Sequence, residues 1–492
     1  MSTYKLMSSL YPPSRRVVVR LAGELGTKSA RTRRNFLNQL TANLSRALKA
    51  EQIPATVKQE WSRLWIDTPQ PTAAREVAAR IFGVQGSVEV LEIKFSSLAD
   101  LVAQLLPLYQ DELRGKTFGI QARRSGRSAV EPQQLAIALG TALLPHSAGV
   151  NLDRPQLPIR LLLIENRAYA EQTASPGPGG LPLGRGGQTL ALLSGGFDSP
   201  VAAWHIMRRG TEVELVHFDL GGCGQVDQAL KVAQQLTSRW APGTVVKISV
   251  IDLAPLVQAL IERCDRRLRQ VLLKRAMYRA AARLAQEIGA EALVTGESLA
   301  QVSSQTLRSL AVCEAVADLP ILRPLIGMDK TEIIARARQI GTYDASEQVE
   351  EHCSISGSRV IIWPRRSAVE QAEQAVAEAA SEEWAARQVA QRQTINLSEW
   401  VPSTALDAAT WEVDGVPSLA LLVDIRELAE GGDAGDIRLP SSSALDHLER
   451  LDLGQEYVLL CQSGQRSRGL ASQLRERGYT AWSLRGGVGR LG

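Results

Sequence analysis

A chain of 492 residues, 45% hydrophobic and 22% charged, has the composition of an ordinary globular protein and is too long for one core; about 150 residues per domain predicts three or four domains. Its five cysteines (Cys223, Cys264, Cys313, Cys353, Cys461) are scattered without a Cys-x-x-Cys pair, which excludes a disulfide scaffold and a zinc site. No apolar run approaches the roughly 20 residues of a membrane span, and the opening Met-Ser-Thr-Tyr-Lys lacks a signal core, so a cytoplasmic protein is expected. The net charge of +4 hides an asymmetry. Positions 1–173 carry 23 Lys/Arg against 14 Asp/Glu, a surplus of nine, and the remainder a deficit of five. The first part is suited to a polyanion and the second to chemistry, although such a surplus also arises on a solvated face.

In chain order, strands are predicted over 16–21 and 63–67 and helices over 29–48 and 72–82, with Arg31, Arg33 and Arg34 in the first turns of the longer helix and glycines at 83 and 86 closing the unit. From position 88 follow a strand, a helix over 97–113 and a strand over 117–123. That strand is expected to leave through a turn, Arg123-Arg124-Ser125-Gly126-Arg127, before a helix over 131–143 and a strand over 159–164. Aromatic residues are sparse among these cations, so nucleic acid would be held by phosphates and shape rather than by base stacking. Positions 174–187, Ala-Ser-Pro-Gly-Pro-Gly-Gly-Leu-Pro-Leu-Gly-Arg-Gly-Gly, read as a linker.

Then comes Leu190-Ala-Leu-Leu-Ser-Gly-Gly-Phe-Asp-Ser-Pro200. A short apolar strand stops at Ser194-Gly195-Gly196, where small residues let backbone N–H groups converge on an anion. Ser199 is expected to cap a helix over 201–208 with Pro200 as its first residue, aiming the helix's positive end at the same anion. No Lys follows the glycines, so a Walker A loop fits poorly. Asp198 inside the cradle suggests a metal-bound pyrophosphate.

Strands over 213–218, 245–250 and 293–295, with a long helix over 265–288, continue a βαβ rhythm, hence a parallel sheet with ligands at the carboxyl ends of its strands. His217-Phe218, Thr295-Gly296-Glu297-Ser298 and Gln301 to Gln305 stand at such ends. Taken singly, His217 reads equally as a core histidine and Lys274 as a solvated helix face. Asp329-Lys330 opens a helix, where the cation either stabilises charge developing in an adenylate or belongs to an ordinary helix end. Cys353 follows an acidic loop rather than an apolar run. The helical 371–393 is expected to bridge to a last unit beginning near Trp400. There Ala420-Leu-Leu-Val-Asp424-Ile-Arg426-Glu427 and Tyr457-Val-Leu-Leu-Cys461 read as strands, the second delivering a cysteine to a loop and a helix N-terminus that stabilise a thiolate or persulfide.

These motifs carry resemblances. Arg20-Leu-Ala-Gly-Glu-Leu-Gly-Thr-Lys28 resembles a ferredoxin-like α+β domain, and Gly-Lys-Thr-Phe with Arg-Arg-Ser-Gly-Arg resembles the RNA-binding THUMP domain. Ser-Gly-Gly-Phe-Asp-Ser is similar to the PP-loop of ATP pyrophosphatases, a doubly wound parallel-sheet fold. Asp-Ile-Arg-Glu, Cys-x-x-Gly-x-Arg-Ser and Arg-Gly-Gly resemble an α/β rhodanese domain, although Gly435-Asp-Ile-Arg-Leu-Pro stands where many rhodaneses have Gly-His-Ile-Pro-Gly-Ala, a departure that counts against free thiosulfate turnover more than against persulfide carriage. The expected α/β multidomain organisation is 1–83, 84–173, 174–395 and 396–492 in that order, which resembles the bacterial tRNA 4-thiouridine sulfurtransferases.

The resemblance implies that ATP, with Mg2+, adenylates O4 of a tRNA uridine and that sulfur arrives on a cysteine persulfide loaded by a cysteine desulfurase. It implies catalytic roles for Asp198 and Lys330, persulfide carriage by Cys461, and Cys353 as the thiol that forms a disulfide with it. Leu192, Leu193, Ser194, Gly195, Gly196 and Ser199 would hold the nucleotide, with His217, Phe218, Lys274, Gly296 and Gln305 around it. Sulfur transfer to a thiamine-pathway sulfur-carrier protein is a further implied role. A sulfur carrier acting mainly for thiamine, or an adenylating enzyme of another tRNA base, remain as alternatives.

Overall fold

Strand β1 (Arg15–Leu21) sends Val17 and Val19 to one side and Val18 to the other, and all three are buried, so its sheet is covered on both faces. The computed structural model describes residues 15–60, 63–220, 225–302, 304–347, 361–402, 411–426, 434–441, 444–462 and 464–490. Cys223, Cys353 with the loop before it, and Glu427 lie outside the described residues. The chain forms two units, 1–189 with 204–213 and 237–245, and 190–203 with 214–236 and 246–492.

In the first unit, β1, β2 (Thr56–Glu60), β3 (Arg63–Asp67), β4 (Val84–Lys94), β5 (Thr117–Ser128), β6 (Gly149–Val150), β7 (Leu157–Glu165) and β8 (Arg167–Pro176) make one mixed sheet of order β2-β3-β1-β4-β8-β7-β5-β6. Helices Ala30–Ala50 and Pro71–Ala78 bury Leu40, Leu44 and Val77 against Val17, Val19, Leu64 and Ile66. Helices Leu98–Tyr109 and Pro132–Leu143 do the same with Leu101, Leu105, Leu135 and Leu139 against Ile159, Leu161 and Leu163. Truncating any of these leucines to Ala would cost about 2–5 kcal/mol. On the opposite face the rings of Trp65 and Tyr169 lie 4.6 Å apart, although β1 and β4 separate their strands. The two large side chains lie over the strands between them, forming with Val18, Val88, Val90, Leu162 and Ile164 a second buried cluster on this face.

Two expectations change here. β4 pairs antiparallel with both β1 and β8, so the sheet is continuous across positions 83 and 84. The stretch read as a linker is instead packed: β8 extends to Pro176, Gly83 N–H bonds Gly179 O, Leu181 N–H bonds Arg208 O, and a Cβ on Gly177 or Gly180 would overlap backbone of Val84 or Arg208. Its glycines serve close backbone approach rather than looseness.

The second unit's larger sheet contains β9 (Gln188–Leu192), β10 (Glu212–Asp219), β11 (Lys247–Asp252), β12 (Ala292–Val294), β13 (Ile321–Leu322) and β14 (Gln393–Asn396) in the order β13-β12-β9-β10-β11-β14. β10 and β11, and β12 and β13, are parallel, whereas β14 joins β11 antiparallel, so the expected wholly parallel sheet carries one reversed edge. The long helix begins later than expected, spans Arg269–Ile288 and ends on Gly289 at φ +75°.

Positions 371–393 are not a free bridge. Helices Arg366–Gln374 and Glu382–Ala390 bury Val369, Trp384, Ala385 and Val389 in the same core, and Glu373 takes bonds from Arg275 at 2.8 Å and Arg279 at 3.2 Å. The apolar spacing of an amphipathic helix is identical in both settings, which is why a tether and a buttress read alike. A smaller sheet follows, wholly parallel, from β15 (Glu412–Val413), β16 (Leu421–Asp424), β17 (Ile437–Arg438), β18 (Glu456–Leu460) and β19 (Thr480–Leu484), in the order β15-β19-β18-β16-β17.

Candidate functional site

Leu190 and Ala191 bury β9 in the core, and the chain leaves its end through Leu193 into a turn that only Gly195, at φ +83°, adopts without strain. The following helix, Asp198–Met207, starts three residues earlier than expected. Ser199 and Pro200 therefore belong to its first turn, where a proline is tolerated, and the Ser199 hydroxyl reaches back to accept the Ser194 N–H at 3.1 Å. The loop and the helix N-terminus are thereby tied into one anion-facing turn.

Asp198 is the charged centre of this turn. Lys330 Nζ donates to its Oδ1 at 2.9 Å and Gln301 Nε2 to its Oδ2 at 2.8 Å. Lys330 opens the helix Lys330–Ile340 behind a capping box of Asp329 and Glu332, and lies 5.5 Å from the Phe197 ring, which stacks on Tyr343. Positions 132 residues apart thus meet at one carboxylate.

The loop after β12 closes the other side. A Cβ on Gly296 would stand 2.7 Å from Ser199 N and 2.8 Å from Asp198 C, so the backbone there touches the helix start. The next residue anchors it. Buried Glu297 accepts Lys274 Nζ at 2.7 Å, Tyr278 OH at 2.7 Å, Thr295 Oγ1 at 3.1 Å and Arg323 Nε at 2.9 Å. Burial alone would raise its pKa, but Lys274, Tyr278 and Arg323 together lower it to about 2. Lys274, expected beside the nucleotide, is in this structure the partner of Glu297.

His217 is buried, with Nδ1 2.8 Å from Leu193 O; facing a carbonyl, Nδ1 carries the hydrogen. Burial lowers the His217 pKa, outweighing the Leu193 carbonyl and Asp219, so the ring is neutral and Nε2 is a bare acceptor with no partner among the described residues. Gln301 Oε1 and Gln305 Oε1 are likewise buried acceptors without partners among the described residues. These acceptors are suited to N–H or O–H donors of a ligand. Phe218, by contrast, packs into the core, with Leu192 partly buried against it. Gly196 has room around its Cβ position, the nearest atom being Ser194 Oγ at 3.7 Å, and its carbonyl accepts from Ser346 Oγ at 3.4 Å.

At the end of β18, Cys461 Sγ accepts the N–H of Gly464 at 3.1 Å and of Ser467 at 3.4 Å, with the Ser467 hydroxyl also at 3.4 Å. Gly464, at φ +89°, turns the chain into the helix Gln465–Glu476, whose positive end faces the sulfur. Gly487 lies against the Cys461 carbonyl, where any Cβ would overlap. The Asp-Ile-Arg turn is a clamp: Asp424 accepts Arg426 Nε at 2.9 Å and Nη2 at 2.6 Å. Cys264 and Cys313 differ in kind. Both lie in the core, where burial raises the thiol pKa, to about 11 for Cys313.

In the first unit a cleft of about 380 Å³ is lined by Arg20, Arg33, Arg63 and Ser125 and by the backbone around Gly23. Arg20 pairs with Glu171, but Arg33, Arg63, Arg123 and Arg127 have no ion pair among the described residues. Burial and then repulsion from Arg20 and Arg123 lower the Arg63 pKa, and Glu171, which is paired with Arg20, only partly offsets them. A larger cavity of about 530 Å³ is lined by charges that already neutralise each other, Arg16 and Lys58 on Asp67 and Arg167 on Glu92. Arg123, Arg124 and Arg127 do not lie in an exit turn. β5 continues to Ser128, with a register shift against β7 at Gly126, φ +75°.

Sequence reasoning named Glu297 and Gln301 only as punctuation, had Ser467 only as the last residue of the cysteine-loop motif, and missed Tyr278, Arg323 and Ser483; a polar residue amid the apolar face of a buried helix, as at Tyr278, was the available signal.

The family described as Thiamine biosynthesis protein (ThiI) matches residues 184–377, and the ThiI ferredoxin-like domain matches residues 16–87. The chain is 34% identical to a tRNA sulfurtransferase of Desulfurococcus amylolyticus over 96% of this chain and 97% of that one. It is 33% identical to one of Pectobacterium carotovorum over 94% and 98%. A crystal structure of a 4-thiouridine synthetase–RNA complex with bound ATP superposes at a TM-score of 0.69 and 26% identity, covering 78% of this chain and 99% of that one. With relatives at this identity along nearly its whole length, the chain belongs to the tRNA sulfurtransferase family.

Proposed function

We propose that the chain is an ATP-dependent sulfurtransferase that makes 4-thiouridine in tRNA, with THUMP, PP-loop and rhodanese elements in that order after the ferredoxin-like domain. The observation that carries the reading is that one chain holds both an anion-facing turn armed with Asp198 and Lys330 and a cysteine sulfur cradled by backbone N–H groups. The unpaired arginines of the first unit favour the same substrate, a polyanion.

In the first half-reaction the uridine O4 attacks the α-phosphate of ATP and pyrophosphate leaves, since a carbonyl oxygen is a poor leaving group until it carries phosphate. The turn from Leu193 to Ser199 holds the phosphates, Lys330 offsets the charge that develops, and His217 and Gln305 offer acceptors to the nucleoside. Among the described residues no three His, Cys, Asp or Glu form a metal cluster; Mg2+ would come on the triphosphate, with Asp198 the carboxylate at hand.

In the second half-reaction the terminal sulfur of a Cys461 persulfide attacks C4 and AMP leaves. The Cys353 thiolate then attacks the Cys461 sulfur, the sulfur–sulfur bond breaks, 4-thiouridine is released and a Cys353–Cys461 disulfide remains. Two electrons from a thiol reductant reset the enzyme, and a cysteine desulfurase reloads Cys461. The test is nucleoside mass analysis of tRNA incubated with ATP, cysteine, a desulfurase and the protein. Thiouridine is expected with the wild type and not with Cys461→Ser or Cys353→Ser; thiolation retained by either variant removes that residue from the scheme. Transfer to a thiamine-pathway sulfur carrier is a second reading, favoured by the description of the matching family. Thiamine auxotrophy on loss of positions 400–492 would support it.

A further inference from the structure

Two serine hydroxyls are buried beside the Cys461 sulfur, and only one touches it. Ser467 Oγ is 3.4 Å from Sγ, and Ser483 Oγ, from β19, is 2.8 Å from Ser467 Oγ. Both hydroxyls also lie 3.1 Å from the Gly464 carbonyl, which already receives the Arg468 N–H at 3.3 Å. Ser467 and Ser483 are each fully buried, so no solvent supplies or accepts their hydrogens.

Counting hydrogens decides what the arrangement does. The contact between the two hydroxyls is the shortest of the set, so a hydrogen lies between them, and its direction depends on the sulfur. A protonated thiol donates to Ser467, whose own hydrogen is then free to go to Ser483 or to the Gly464 carbonyl. A thiolate has nothing to give. The chain then runs backwards, Ser483 to Ser467 to sulfur, and the anion gains a hydroxyl donor beyond its two backbone N–H groups. The hydrogen-bonded chain strengthens its last member by polarisation, and a bond to a charged acceptor is worth more than a neutral one.

We propose that Ser483 is a positioning residue for the sulfur centre, turning the Ser467 hydroxyl toward Cys461 whenever that sulfur is anionic, as thiolate or as persulfide. The inference rests on Cys461 being the sulfur carrier, but its test does not require sulfur transfer.

The experiment is a pH titration of ultraviolet thiolate absorbance on the full chain, read as the difference between each variant and its Cys461→Ser counterpart, so that the other cysteines and tyrosines cancel. Ser467→Ala is expected to raise the Cys461 midpoint by about one pH unit, the size of one charge-assisted hydrogen bond. Ser483→Ala should raise it by less, and Ser483→Thr, which keeps the hydroxyl, should restore the wild-type midpoint. Because Ser483 acts through Ser467, the double variant should match Ser467→Ala alone. A Ser483→Ala curve superimposed on the wild type, or a double-variant shift equal to the sum of the two single shifts, overturns the proposal. Ser483→Gly takes the alanine variant's place if that one fails to fold. Thiouridine retained by Cys461→Ser would defeat the sulfur-carrier reading instead, leaving these titration curves unaffected.

Discussion

Lys330 Nζ and Asp198 Oδ1 stand 2.9 Å apart, and the aspartate's other oxygen is held by Gln301 at 2.8 Å, so each oxygen of this carboxylate has a partner, one from a later helix start and one from a later loop. The Lys330 side chain is 38% exposed, and a pair this open contributes only about 0–1 kcal/mol to stability. Its position is better explained by chemistry than by folding.

Lys330→Gln should therefore lower tRNA-dependent conversion of ATP to AMP by about 100-fold to 1,000-fold, the size expected for one group facing transition-state charge, with little change in melting temperature. Pyrophosphate release measured with saturating ATP checks it; unchanged turnover would remove Lys330 from the adenylation step.

Two glycines around the same turn should respond unequally. Gly296→Ala drives a Cβ to 2.7 Å from Ser199 N and should abolish ATP turnover, because neither the helix start nor the β12 loop can retreat without moving Asp198. Gly196→Ala has 3.7 Å to its nearest neighbour and should keep more activity. Equal losses from the two would show that close approach at Gly296 is not what matters.

Glu297 sets an acid limit. Its folded pKa of about 2 lies below the 4.5 of an ordinary glutamate, so its contribution is complete above pH 4.5 and is lost as the pH falls from there toward 2. The shift corresponds to roughly 3 kcal/mol at neutral pH. Glu297→Gln should lower the unfolding free energy by about that amount at pH 7, with the difference from wild type narrowing toward pH 3 in urea titrations.

The arginine cleft predicts a trade between binding and stability. Arg63→Gln should weaken tRNA binding and reduce the slope of log affinity against log salt by about 1. It should leave thermal stability unchanged or improved, since burial and the neighbouring Arg20 and Arg123 oppose the Arg63 charge more than Glu171 favours it. An unchanged salt slope would place the RNA elsewhere.

The apolar run before Ser194-Gly195-Gly196, the cysteine at the end of 457–461 and the basic surplus of the first 173 residues were legible because each rests on local pattern: strand hydrophobicity, glycine tolerance, charge. Local pattern erred where two environments share it. The Pro/Gly stretch at 174–187 is a packed strap, 371–393 is part of a core, and the arginines at 123–127 stay in a strand past a bulge.

The amino-acid order by itself determined which groups capable of chemistry exist and that they sit where strands end and helices begin, since capping, periodicity and backbone freedom act within a few residues. Which of them meet was decided only by the tertiary structure. Lys330 reaching Asp198, Lys274 turning to Glu297 and Ser483 standing behind Ser467 are contacts between segments 132, 23 and 16 residues apart. Parallel-sheet crossovers bring distant strand ends to one edge, and hydrogen bonds made there have no period along the chain to reveal them.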